Sequence, residues 1–228
     1  MQKAILTAGA IFGGFYFSQK KRAECCGIIG ILSDKRENIA PSLSMGVELL
    51  KNRGYDSAGV VTFGENDGKV EVNVIKYAEE ANEQLNCIER LVNDIAKNVV
   101  RSHIGIGHTR WATCGEKVER NAHPHFDTTK TIFIVHNGII GGHPEIKKKY
   151  LEGVKFNSET DSEVAAQLIG KFKTEGSTTY EAIRKTEDVM KETSNKPQWG
   201  IVVVDKDQPH KMWTTTNGSP ILIGMNDN

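Results

Sequence analysis

Cys25–Leu32 reads CCGIIGIL, a thiol and a glycine opening an apolar run about as long as one buried strand. A cysteine at the head of a strand does chemistry only where its sulfur becomes a thiolate beside a usable base. Whether Cys26 can do so depends on what precedes it, and residues 1–25 do.

The stretch before it, Met1–Ser18 (MQKAILTAGAIFGGFYFS), carries a single charge at Lys3, and Gln19-Lys20-Lys21-Arg22 follows at once. As a helix it would span about 27 Å, close to a hydrocarbon core of about 30 Å. Gly9 and Gly13 form a GxxxG that lets a second helix approach. A secretory signal shares the apolar region, but no small-residue cleavage site precedes the basic cluster. A mitochondrial targeting segment is basic and acid-poor, as this one is up to Glu24, though less apolar. Residues 1–24 are therefore expected to form a retained hydrophobic anchor helix, held by a bilayer or a partner. A mitochondrial inner membrane is the expected site, with the cytoplasm as the alternative.

The other direction reads as a folded domain. The 29 basic and 29 acidic residues cancel, so bulk charge does not favour nucleic acid. Four cysteines, Cys25, Cys26, Cys87 and Cys114, show neither a CxxC pair nor zinc-ligand spacing and read as thiols. Leu43, Val47 and Leu50 share one helix face, and the Arg53–Gly59 loop leads to strand Val60–Phe63. A hairpin-like turn gives strand Val70–Tyr77, and Leu85, Ile88, Leu91, Val92 and Ile95 mark a second amphipathic helix. Ile104–His108 and Ile132–His136 are expected as buried strands. Ile146–Leu151, Val164–Phe172 and Ala182–Lys191 carry helical spacing. Ile201–Asp205, Lys211–Thr214 and Ile221–Gly224 read as strands, with Asn217-Gly218 turning between the last two. The fold class is α/β (α+β), layered sheets covered by helices, with 25–228 as one domain.

Polar residues gather at the strand ends: Arg53, His108–Thr113, Asn137-Gly138 and Ser158–Asp161. Singly, each has a plain reading. Asn-Gly is usually a turn, and Thr-Asp before a helix is usually a cap. His123, His125 and His136 lack an HxxxH spacing or an acidic third ligand, so no metal is expected. Glu159, Asp161 and Glu163 alternate at a helix start, where acids are favoured anyway. No GxxxxGK phosphate loop is present and no cofactor is expected.

Together the clusters resemble a known family. CGIIG at Cys26–Gly30, RGYDSAG at Arg53–Gly59, HTRWAT at His108–Thr113 and NAHPH at Asn121–His125 occur in order. VHNGII at Val135–Ile140, SETDSE at Ser158–Glu163 and GSPILIG at Gly218–Gly224 complete the set. The chain thus resembles the class II (N-terminal nucleophile) glutamine amidotransferases, in particular the glutaminase half of glutamine–fructose-6-phosphate aminotransferases. The resemblance implies a four-layer αββα sandwich and accounts for the histidines without metal. It implies Cys26 as nucleophile, with the Asn137 side-chain amide and the Gly138 N–H as oxyanion hole. Arg110 would pair with the substrate carboxylate and Asp161 with its ammonium, while Trp111 and Thr113 line the pocket and Arg53 supports the site.

Three departures bear on activity. The family's nucleophile is the first residue of the mature chain, its α-amine (pKa near 8) serving as base. With Cys25 attached, that amine is an amide. The family's HTRWATHG has Cys114 here in place of its last histidine, so the imidazole's hydrogen bonds are lost. The sequence ends at Asn228, soon after GSPILIG, and is expected to be a shortened glutaminase half without the isomerase half. The sequence-based expectation is a non-catalytic, anchored accessory subunit of a membrane complex, with glutamine as a ligand the pocket could still take. The alternative is a glutaminase, processed before Cys26, that passes ammonia to a partner.

Overall fold

The computed structural model describes residues 26–34, 38–97, 101–112 and 115–225. The expected anchor, 1–24, lies outside these residues. Among the described residues no helix is long and apolar enough to cross a membrane.

In chain order the elements are β1 (Gly27–Leu32), α1 (Ala40–Leu49), β2 (Ser57–Asn66), β3 (Lys69–Ala78), α2 (Cys87–Lys97) and β4 (Ser102–Arg110). They continue with β5 (His125–Phe126), β6 (Ile132–Ile139), α3 (His143–Tyr150), α4 (Asp161–Thr174), α5 (Thr179–Thr193), β7 (Gln198–Asp205) and β8 (Met212–Asn217). One sheet has the order β1-β4-β2-β3 and the other β5-β6-β7-β8. The named pairings in both are antiparallel.

The period of two along each strand builds the layers. On β2, Val60 joins a core with Leu43 and Val47 of α1 and Leu91 and Ile95 of α2. Its neighbour Val61 turns the other way, into a core with Phe63, Ile104, Ile106, Phe133, Val135, Val202 and Val204. The second sheet repeats the device. Phe133 and Val135 face the first sheet, while Ile132 and Ile134 face Val164, Leu168, Ile183 and Met190 of the outer helices. Three cores in that sequence stack the elements as helices, sheet, sheet, helices. The inner strands are covered on both faces: β2 is buried from Ser57 to Gly64, and β4 (SHIGIGHTR) along its whole length although about half of its residues are polar. Edge strand β3 is instead made of exposed and half-buried residues up to Ala78, which is buried.

Helix α5 starts with a reciprocal capping box between Thr178 and Glu181. Helix α4 is buried at every position from Ser162 to Gly170, because it lies between the second sheet and its helical neighbours. Leu85, expected on the face of α2, sits ahead of that helix and is exposed.

The expected strand Ile221–Gly224 does not form. Gly218, at φ +78°, turns the chain beyond β8, leaving one parallel bridge to Trp199. Beyond it the chain has no strand partner among the described residues, and Leu222 is 96 % exposed.

Candidate active site

Strand register brings the candidate residues to one end of the two sheets. Gly27 pairs with Thr109, so Cys26 at the head of β1 sits beside the last residues of β4. Ser57 pairs with Arg110, which delivers the Arg53–Asp56 loop to the same end. Glycine is required in that loop, since a Cβ at Gly54 would lie 2.6 Å from the carbonyl carbon of Arg110.

The sulfur of Cys26 is held by Trp111. The Trp111 N–H donates to Sγ at 3.3 Å, and the thiol lies 3.6 Å from the Trp111 carbonyl. The Trp111 ring stands edge-on to Tyr55, with centroids 5.0 Å apart. The main-chain carbonyl of Cys26 accepts from Asn137 Nδ2 at 2.9 Å and from Arg53 Nε at 3.4 Å. The residues expected as nucleophile, pocket tryptophan, oxyanion amide and supporting arginine thus converge.

Asn137-Gly138 is not the turn that an Asn-Gly pair usually makes. Both residues lie within β6, opposite Gly200 and Trp199 of β7. Gly138 adopts φ +137°, and a Cβ there would come within 2.1 Å of the Gln198 carbonyl oxygen. Only glycine fits.

Arg110 is buried and donates from Nη1 to the Glu116 carbonyl at 3.3 Å. Asp161 opens α4 half-buried, its carboxylate accepting from the Ile140 N–H at 2.7 Å, three residues past Asn137. Thr113 and Cys114 lie outside the described residues. Asp56, buried and not singled out from the sequence, fastens the chain beyond Trp111: it accepts from Ala112 N–H at 2.9 Å and pairs with Lys117 at 2.6 Å.

Beneath this end lie four buried histidines. His108 Nε2 is 3.0 Å from Asn137 Oδ1 and 3.1 Å from the His136 carbonyl. The His108 ring lies tilted against that of His123, with centroids 4.0 Å apart, and His123 meets His125 edge-on at 4.6 Å. His125 Nε2 bonds Thr160 Oγ1, and His136 Nδ1 bonds Ser162 Oγ. Burial disfavours the charged form of all four rings. It pushes His108 down to about 3, against the Asn137 hydrogen bond, and holds His123 and His125 well below the imidazole range. His136 is lowered by burial too, with the Asp161 charge opposing. Among the described residues no group of three or more His, Cys, Asp or Glu is placed to hold a metal ion. The motifs HTRWAT, NAHPH and VHNGII contain these four histidines, but nothing in the sequence showed that they pack together beneath the site.

A family described as a glutamine amidotransferase domain matches residues 66–184, the stretch that holds Arg110, Trp111, Asn137, Gly138 and Asp161. The chain belongs to the glutamine amidotransferase domain family. It is 38 % identical over 203 residues to a glutamine–fructose-6-phosphate aminotransferase (isomerizing) of Shouchella clausii. Proteins of the same description from Bacillus thuringiensis subsp. konkukian and Fusobacterium nucleatum are 37 % and 38 % identical. Each comparison covers 89 % of this chain and 30–31 % of the relative, so the chain spans about a third of the length of these relatives. The similarity thus reaches well beyond residues 66–184.

Proposed function

We propose that this domain, once cut before Cys26, hydrolyses the side-chain amide of glutamine and hands the ammonia to a partner protein or domain. The fold is read as that of the N-terminal-nucleophile hydrolases. Cutting is part of the proposal, because only a free α-amine at Cys26 can accept the thiol proton. The sulfur then attacks the amide carbon, and negative charge gathers on the amide oxygen. The Asn137 amide, with one hydrogen on the Cys26 carbonyl, has a second to offer that oxygen, alongside the Gly138 N–H. The α-ammonium returns its proton to the leaving nitrogen, ammonia departs, and water hydrolyses the thioester to glutamate. Arg110 and Asp161 are assigned to the carboxylate and ammonium of glutamine, with Trp111 and Thr113 beside it. Arg53 steadies the Cys26 carbonyl.

The observation that carries this reading is the pairing of Asn137 Nδ2 with the Cys26 carbonyl while Trp111 donates to the Cys26 sulfur. Nothing among the described residues supports a non-catalytic membrane subunit. The basic, acid-poor segment ahead of Cys26 is assigned as a leader that is removed, in keeping with mitochondrial import. The test is mass spectrometry of the amino terminus of the native protein, joined to an ammonia assay with Cys26→Ala as control. A mature terminus at Cys26 and ammonia release lost in the variant are expected. A native terminus upstream of Cys26, or ammonia release that survives the substitution, sinks the reading.

A further inference from the structure

The amide of Asn137 has two orientations of nearly equal shape, and only one presents hydrogens to a developing oxyanion. Two main-chain carbonyls settle which is adopted. The Cys26 carbonyl can only accept, so the group 2.9 Å from it must be the amide nitrogen. The His136 carbonyl can only accept, so His108 Nε2, 3.1 Å away, must carry a proton. That proton also points at Asn137 Oδ1, 3.0 Å away. Turning the amide over would set its oxygen against the Cys26 carbonyl and its nitrogen against the Nε2–H. Moving the imidazole proton to relieve the second clash would leave a bare nitrogen facing the His136 carbonyl. The network has one solution.

We propose that His108 is a positioning residue, whose Nε2–H fixes the Asn137 amide with its hydrogens toward the substrate's reacting carbonyl; this rests on the glutaminase reading above. Its place suits the task. His108 is fully buried on the central strand β4, where a side-chain donor meets little competition from water. The ring lies against His123, with centroids 4.0 Å apart and planes inclined by 33°. A glutamine at 108 could place an amide N–H near the Nε2 position, whereas leucine fills similar space with no donor.

The test compares His108→Leu, His108→Gln, Asn137→Ala and the double variant His108→Leu/Asn137→Ala, all in chains made to start at Cys26. His108→Leu is expected to lower kcat for glutamine about 10- to 100-fold, with KM within about twofold, because the Asn137 donor it holds in place is one the transition state uses. His108→Gln is expected to recover most of that rate. In the Asn137→Ala background, His108→Leu is expected to cost nothing further. Iodoacetamide alkylation of Cys26, which needs no oxyanion hole, should proceed at the parental rate in the His108 variants that keep Asn137. A full additional loss in the double variant, or a loss carried by KM, overturns the proposal. Nitrogen NMR of the parent chain separates the two readings. A His108 ring protonated at Nε2 and coupled to the Asn137 amide is expected even if no ammonia is released, which would sink only the glutaminase reading. A ring protonated at Nδ1 alone overturns the role of His108.

Discussion

Asn137 Nδ2 donates to the main-chain carbonyl of Cys26 at 2.9 Å, across 111 residues of sequence. One amide therefore holds the main chain of the proposed nucleophile and, in the proposed reaction, keeps a second hydrogen for the substrate's carbonyl oxygen. Truncation of Asn137 to alanine removes an oxyanion donor, which typically costs about 10²–10³ in kcat. Steady-state ammonia release by the Asn137→Ala chain should show that fall in kcat. A kcat within threefold of the parent would place the oxyanion elsewhere.

Gly138 supports that geometry from within β6. Its φ of +137° disfavours any side chain, and a Cβ would press on the Gln198 carbonyl oxygen at 2.1 Å. Strain of this kind and overpacking each cost about 1–3 kcal/mol, so Gly138→Ala should destabilise the fold by about 2–6 kcal/mol. Urea denaturation followed by circular dichroism measures it. An unchanged midpoint would mean that the β6–β7 pairing relaxes freely there.

The layers were legible because neighbouring residues such as Val60 and Val61, or Ile134 and Val135, are both apolar yet must face opposite ways in a strand covered on both sides. The site was legible only through its motifs, which placed Cys26, Trp111 and Asn137 in family order but not in contact. Local reading failed where distant contacts decide. Asn137-Gly138 has turn composition, but pairing with β7 draws it into a strand. Ile221–Gly224 has strand composition, but no neighbouring strand receives it among the described residues. His108 is one histidine among seven in composition. Its meaning comes from a carbonyl 28 residues away and an amide 29 residues away.

The buried histidines set the response to acid. Burial lowers their pKa values in the fold, so below the ordinary 6.5 the unfolded chain binds protons that the native one refuses. Stability from His108 is complete above about 6.5 and declines as pH falls, until its folded pKa of about 3 is reached. Each such group contributes a slope of about 1.4 kcal/mol per pH unit within its window. Urea midpoints should therefore drop steeply between pH 7 and pH 5. His123→Gln, whose ring nitrogens have no hydrogen-bond partner among the described residues, should make that drop shallower. Equal slopes in parent and variant would show that His123 titrates normally in the fold.

Cys87 offers an internal contrast to Cys26. Its side chain is buried, its thiol donates to the Tyr55 carbonyl at 3.3 Å, and burial pushes its pKa up to about 12, helped by the Glu79 charge. At pH 8 about 10⁻⁴ of such a thiol is ionised, far too little for ready alkylation. Peptide mass spectrometry after iodoacetamide treatment of the native protein should find Cys87 unmodified, and modified only after urea. Labelling of native Cys87 as fast as of half-buried Cys26 would contradict its packing.

The largest effect should come from the peptide bond ahead of Cys26. While Cys25 remains attached, the nitrogen beside the thiol is an amide and takes no proton at neutral pH, so the sulfur has lost its general base. That loss alone is typically worth about 10²–10⁴-fold. A chain bearing Cys25 should thus release ammonia from glutamine at least about 10²-fold more slowly than one starting at Cys26. Asn137 and Arg53 hold the Cys26 carbonyl rather than its nitrogen, so affinity for glutamine should change far less than kcat. Parallel assays of the two chains, with glutamine binding measured by calorimetry, decide it. Equal turnover would mean that another group takes the thiol proton, and buried His108, held near 3, is a poor candidate to do so.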